Sequence, residues 1–342
     1  MRTILISLLS LFALNAVQAQ SNDARIKLIR SAYAKAKEKI EQNGKNGRSP
    51  WDMTVIVNSV NDEEAEIYDR SEITYYFDET IKDYRSTKRP YFLIEKWTSH
   101  QHVLYHEMLF NPEDSTLMFS YRRGETDGGF VVESRYYYDA QGKLIEQKHN
   151  TPNTWSDADS EQEEARHFMK IFRMVNTYDY LSANEVESQS GLMQKDPARI
   201  KHIRSVYAQA KDKVAKDDAK GDIDDGKRSI HITVRDGGEQ GPPTTTERHI
   251  YFDTVPYYVS YRRSSMSYNG YAEYLYEPGT TDLIFSYSGG QEENETREWR
   301  YYYNKQGFCI DVISNAEEID YGYSDRMAAK DYIAIFRALI GE

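Results

Sequence analysis

The sequence predicts an α+β protein: two tandem copies of a domain with an N-terminal helix, a curved antiparallel meander sheet and a C-terminal helix. Three observations predict it. The segment Ala24 to Tyr33 returns as Ala198 to Tyr207, and between 24–40 and 198–214, 12 of 17 positions are identical. The echo then runs collinearly to the end of the chain: Pro90-Tyr91 with Pro256-Tyr257, Phe119-Ser120-Tyr121 with Phe285-Ser286-Tyr287, Arg135 to Tyr138 with Arg300 to Tyr303, Ile171-Phe172-Arg173 with Ile335-Phe336-Arg337. Such a period is too long for a solenoid unit and suits whole domains.

The opening helix of each copy is read from spacing. Ile26, Ile29, Tyr33, Ala36 and Ile40 form one stripe at helical intervals, repeated by Ile200, Ile203, Tyr207, Ala210 and Val214. Asp196 before Pro197 reads as a cap with proline in the first turn, and Asp23 is expected to cap the first copy. Strands follow in aromatic and β-branched runs at Met53 to Val57, Ile73 to Phe77 and Tyr91 to Trp97. Asn111-Pro112 and Glu277-Pro278 mark tight turns. Asp139-Ala140-Gln141-Gly142 and Asn304-Lys305-Gln306-Gly307 have the composition of type I turns that close hairpins. The closing helices carry Ala165, Phe168, Met169, Phe172 and Val175 after an expected capping box at Ser160 to Glu163, and Ala329, Tyr332, Ile333, Phe336 and Leu339 after Ser324.

The domain boundaries expected are 1–19 for a signal peptide, 20–182 and 197–342 for the repeats and 183–196 for a polar linker. The leader reading rests on Arg2, an apolar run from Ile4 to Ala16 and the small residues of Val17-Gln18-Ala19, too short to span a bilayer. A periplasmic or secreted location follows, with no membrane association after cleavage. One cysteine, Cys309, permits no internal disulfide and aligns with Leu144, so it is expected to be buried and inert. The net charge of −12 lacks the electrostatic footprint of a nucleic-acid binder.

No catalytic constellation emerges. His106-Glu107 lacks the second histidine of a metalloprotease helix, and the glycine-bearing stretches Arg122 to Gly129 and Ser288 to Gly290 read as hairpin loops without a phosphate-cradle ending. The run Asp217, Asp218, Asp222, Asp224, Asp225 misses the calcium-loop spacing and reads as a solvated loop. His100, His102 and His106 share strand parity and are the candidate metal ligands, although the second copy has Met266, Tyr268 and Ala272 there.

Charged residues retained in both halves are more informative. Arg30/Arg204 and Lys37/Lys211 lie seven apart along the helix, and Glu107/Glu273 and Arg135/Arg300 persist on strands. They are expected either to pair at the helix–sheet edge or to form a shared ligand-binding patch. Tyrosine, 29 in all, adds an amphipathic recognition chemistry. Strand alternation sends Tyr136 and Tyr138 to one face and Tyr137 with Arg135 to the other, one set filling the core and the other paving a surface. The expected function is a non-catalytic tandem binding protein for a protein, peptide or glycan, with no cofactor. The binding residues are Tyr105, Glu107, Arg135 and Tyr137 in the first copy and Tyr271, Glu273, Arg300 and Tyr302 in the second. The alternatives are an extracytoplasmic hydrolase with a carboxylate-based site and a metal-handling protein.

Overall fold

The computed structural model describes residues 22–42, 51–62, 67–82, 85–99, 102–125, 129–152, 156–177, 192–219, 228–236, 243–266, 268–292, 295–316 and 322–340. The leader, His100, residues 183–191 of the expected linker, Asp222, Asp224, Asp225 and residues 126–128 lie outside them. Among the described residues, helix α1 (22–42) is followed by seven strands: β1 (Asp52–Asp62), β2 (Ile67–Lys82), β3 (Arg85–Ser99), β4 (His102–Phe110), β5 (Leu117–Glu125), β6 (Val131–Tyr138) and β7 (Leu144–His149). Helices α2 (Ala158–Thr177) and α3 (Pro197–Ala219) come next. Seven more strands follow: β8 (Ser229–Asp236), β9 (Thr244–Phe252), β10 (Pro256–Ser264), β11 (Tyr268–Tyr276), β12 (Leu283–Glu292), β13 (Glu295–Tyr303) and β14 (Cys309–Ser314). Helix α4 (Tyr323–Ile340) ends the series. No helix among the described residues is long and apolar enough to cross a membrane.

The fold is α+β with a meander. All 14 strands belong to one antiparallel sheet, in the order β14-β13-β12-β11-β10-β9-β8-β1-β2-β3-β4-β5-β6-β7. Sequence neighbours pair within β1–β7 and within β8–β14, as short hairpin connections require; β7 and β8 do not, and β8 pairs instead with β1, aligned from Asp52 opposite Arg235 to Asn58 opposite Ser229. The chain divides into two compact units: Met1–Arg48, Tyr76–Glu95 and Leu104–Arg166 in the first, Ser49–Tyr75, Lys96–Val103 and His167–Glu342 in the second.

In the first unit α1 covers one sheet face. Its stripe of Ile26, Ile29 and Ala36 packs on Phe92, Leu109, Phe119 and Tyr137. The opposite face meets the start of α2, where the Tyr136 hydroxyl donates to the Ser156 carbonyl at 2.6 Å and that of Tyr138 to the Ala158 carbonyl at 3.1 Å. The alternation expected for the Tyr136–Tyr138 triplet therefore holds, and all three rings are largely buried. A bulge between Tyr137 and Tyr138 accompanies the hairpin turn. That turn has the expected bond from Gly142 N–H to the Asp139 carbonyl, with Gly142 at φ 79°, a conformation glycine takes at little cost.

The second unit is built likewise. Ile200, Ile203, Val206, Ala210 and Val214 of α3 pack on Tyr258, Leu275, Phe285 and Tyr302. On the other face the Tyr276 hydroxyl donates to the Ala329 carbonyl of α4 at 2.8 Å, and the Phe252 ring meets Phe336 in a tilted contact at 5.0 Å. The later part of α2 belongs here too, with Phe172 against Tyr75. The two hydrophobic clusters under α1 and α3 share no residue.

Several local expectations need correction. Asp23 lies inside α1, not before it. The N-cap of α2 is Asp157, which accepts from the Ser160 N–H at 2.8 Å, so Ser160 sits in the first turn and forms no capping box. Asp196 does cap α3, through the Arg199 N–H at 3.0 Å. Asp217 and Asp218 are not loop residues: they end α3 and accept from the hydroxyls of Tyr257 and Tyr251, both at 2.9 Å. Arg122 to Glu125 and Ser288 to Gly290 continue strands β5 and β12 where loops were expected.

Ile203 is fully buried. Its replacement by alanine leaves a cavity worth about 2–5 kcal/mol, which urea unfolding should register as a lower midpoint. The same change at exposed Leu28 should stay within about 0.5 kcal/mol.

Candidate functional site

The sheet register assembles the first unit's retained residues. Glu107, Tyr121 and Arg135 stand directly opposite one another across β4, β5 and β6, and Leu109, Phe119 and the Tyr137 ring form the next row on that face. Helix α1 crosses this face with Arg30, Tyr33 and Lys37 turned toward it. Glu107 is only 2% exposed. A buried carboxylate is tolerated only with strong donors, and it has three: the hydroxyls of Tyr33 and Tyr105, and Lys37 Nζ at 2.6 Å. Tyr33 and Lys37 are four apart and so share one side of α1. Burial, followed by the bond to Glu107, pushes both Tyr33 and Tyr105 well above the ordinary phenol range.

The second unit repeats the clamp. Glu273 accepts from the Tyr207 hydroxyl and from Lys211 Nζ at 3.1 Å, and Lys211 also donates to the Tyr258 hydroxyl at 3.0 Å. Glu273, Tyr287 and Arg300 again form a single cross-strand row.

Beside each clamp lies a groove. In the first unit it measures about 280 Å³, with Ile29, Phe119 and Tyr137 as its floor and Tyr33 and Tyr121 as walls. Two guanidiniums rim it. Arg135 lies 4.9 Å above the Tyr121 ring and pairs with Glu133 at 3.1 Å, while Arg30 lies 5.6 Å above the Tyr137 ring. The second unit's groove measures about 410 Å³, with Ile203, Phe285 and Tyr302 below and Tyr207 and Tyr287 beside. Arg300 lies 5.0 Å above Tyr287 and pairs with Glu298 at 3.4 Å; Arg204 lies 5.6 Å above Tyr302. Ile313 of β14 stands opposite Arg300, where β7 has Lys148 opposite Arg135.

The expected residues are thus placed as follows. Arg135 and Tyr137 line one groove and Arg300 and Tyr302 the other. Glu107 and Glu273 sit beneath as clamps, and Tyr105 serves Glu107. Tyr271 is bound to the Tyr287 hydroxyl at 2.8 Å and to Glu298 at 2.9 Å, so it braces the groove wall. Sequence reasoning missed Tyr33/Tyr207 and Tyr121/Tyr287 as groove walls. Their repetition in both halves was the available signal, but the register that puts them in one row was not.

The histidine cluster takes a different form from the one expected. His106 is buried on the α2 face, with the carboxylates of Glu95, Glu161 and Glu164 around it. Its Nε2 lies 2.9 Å from both Ser120 and Glu161, and its Nδ1 lies 3.7 Å from Glu95 and 3.8 Å from Glu164. Arg122 completes the group by pairing with Glu164 and, at 3.0 Å, with Glu161. Donor atoms of Glu95, His106 and Glu164 fall within 4.8 Å of one another, a spacing that suits a cation. Arg122 already brings positive charge to Glu164. The arrangement is a charge-compensated buried network. Cys309 is buried, and burial pushes its thiol up to about 11, away from reactivity.

No protein-family model matches the chain, and neither a curated protein nor a solved structure shows significant similarity to it.

Burial alone would lower the His106 pKa, but the bonds to Glu161 and Glu95 outweigh it and raise the value above 6.5. The stability this histidine contributes is therefore complete below about pH 6.5 and decays as pH climbs through the raised native value. Burial raises and His106 then lowers the Glu161 carboxyl, leaving it at about 2, so its contribution persists until strongly acid pH. An imidazole titration followed by NMR should place His106 above 6.5, and Glu161→Gln should bring it down.

Proposed function

We propose that this chain is an exported, non-catalytic binding protein built from two copies of one helix–sheet–helix domain, over 20–182 and 197–342, joined by 183–196. The collinear repetition and the matched clamps Tyr33–Glu107–Lys37 and Tyr207–Glu273–Lys211 support the duplication. The leader pattern supports delivery to the periplasm or beyond.

One observation carries the binding reading: the same kind of groove occurs twice, with the same residue types at corresponding positions. Each has an apolar and aromatic floor and two arginines at its rim against one carboxylate. In a chain of net charge −12, such a local excess of positive charge is a selective feature. The floor accepts an apolar or planar group of a protein, peptide or glycan, and the guanidiniums receive a negative group beside it. The arginines are held over tyrosine faces before any ligand arrives, which lowers the ordering cost of binding.

The test is the whole chain on peptide and glycan arrays, with hits measured by calorimetry. Two sites per chain are expected. Arg135→Ala with Arg300→Ala should abolish binding, and either replacement alone should leave one site. Their pairs with Glu133 and Glu298 are half-exposed and worth about 0–1 kcal/mol each, so the far-UV circular dichroism should not change. Unfolding of the double variant would make these charges structural and overturn the site.

A further inference from the structure

The two units differ most on the sheet face opposite the grooves. In the first, the His106 ring and the Glu164 side chain meet Arg122, Glu95 and Glu161 in the buried network described above. Aligned with these in sequence are Ala272, Ala328, Ser288, Tyr261 and Asp325. Two long polar side chains have become methyl groups, and an arginine has become a serine. A cavity of about 330 Å³ stands there, between α4 and strands β9 to β13.

Its lining has a definite chemistry. Tyr261, Tyr268, Trp299 and Tyr332 supply aromatic surface. Tyr268 lies flat on the sheet because positions 270 and 290 are glycine: a Cβ on Gly270 would stand 2.5 Å from the Tyr268 hydroxyl oxygen, and one on Gly290 2.9 Å from it. On the helix side is Asp331, half-buried, which makes no hydrogen bond or ion pair with any described residue. Burial pushes its carboxyl up to about 6. On the strand side are Arg263, exposed and likewise free of an ion pair among the described residues, and Arg248, buried with its guanidinium 5.7 Å from the Tyr261 ring. The Asp331 carboxylate on one wall and the Arg263 guanidinium on the other thus border the same space without pairing with each other.

We infer that this cavity binds a small zwitterion, a free amino acid or the like, with its ammonium on Asp331, its carboxylate on Arg263, and its side chain among the tyrosines and Trp299. An ammonium restores to Asp331 the interactions that burial removes, and aromatic faces favour a cation beside them. The volume falls at the small end of ligand pockets. The site lies in the second unit and shares no lining residue with the grooves.

Calorimetry of the full chain against each of the twenty L-amino acids tests the inference. At least one should bind with a stoichiometry of one. Its N-acetyl and carboxamide forms should each bind at least about tenfold more weakly, as should the parent amino acid to Asp331→Asn or Arg263→Gln. Arg263 is exposed, so its replacement leaves the fold intact. Ala328→Phe should fill the cavity and abolish binding, with circular dichroism confirming a folded protein. Arg135→Ala with Arg300→Ala should change nothing here. The inference fails if no amino acid binds at millimolar concentration, if blocked forms bind equally well, if the Asp331 and Arg263 variants bind as the parent does, or if monosaccharides bind where amino acids do not.

Discussion

Every strand at the heart of each unit buries residues on both sides, and that constraint governs the rest. Tyr136, Tyr137 and Tyr138 succeed one another along β6 and are all 4% exposed or less, as are Tyr301, Tyr302 and Tyr303 within a percentage point. A sheet with two apolar faces needs cover on both, and helices provide it. Tyrosine suits that position because its ring packs in the core while its hydroxyl reaches the covering element. The hydroxyls of Tyr75, Tyr136, Tyr138 and Tyr276 all donate to backbone carbonyls at or within a helix. The abundance of tyrosine is thus first a means of fastening helices to strands.

On the other face an ion pair adds to the apolar stripe of each helix. Glu107 and Glu273 are each held by a tyrosine and a lysine one helical turn apart, so the helix can dock in one axial position only. Removing one partner of such a group leaves a poorly solvated charge behind, a larger loss than the pair's own net worth. The groove is a consequence of this docking. Ile29 and Ile203 reach the sheet while Arg30 and Arg204, next in sequence, fall on the flank and come to rest on tyrosine faces.

Much of this was legible in the residues. Helical stripes, turn chemistry at Asp139–Gly142 and Asn304–Gly307, and the opposite facing of Tyr136 and Tyr137 follow from periodicity and φ requirements that act locally. What was not legible depends on pairing. Gly289 and Gly290 look like a loop in sequence, yet they lie within β12, where the rings of Tyr271 and Tyr268 occupy the space a side chain would need. Ser160 has the capping-box pattern, but Asp157, three residues earlier, takes the cap and lengthens α2. His106 has strand parity with His102, but its partners come from α2 and neighbouring strands, which no spacing within β4 can reveal. Joining of all strands into one sheet was equally invisible, since β1 and β8 lie far apart in sequence.

The faces under α2 and α4 meet a similar packing problem in opposite ways. Filling the space with His106, Glu164 and Arg122 brings charges out of water, and the network is viable because each charge meets its opposite within a few ångströms. Trimming the aligned positions to Ala272, Ala328 and Ser288 removes that cost but forfeits side-chain packing, leaving a space of about 330 Å³. A folded chain tolerates such a void most readily when its walls are braced by other means. Here the braces are present: the Tyr276 hydroxyl and the tilted Phe252–Phe336 contact hold α4, and Tyr274 rests 5.2 Å from Tyr332 across the helix–sheet boundary. Braced walls around an amphipathic space suit a small ligand, because little ordering remains to be done when it enters.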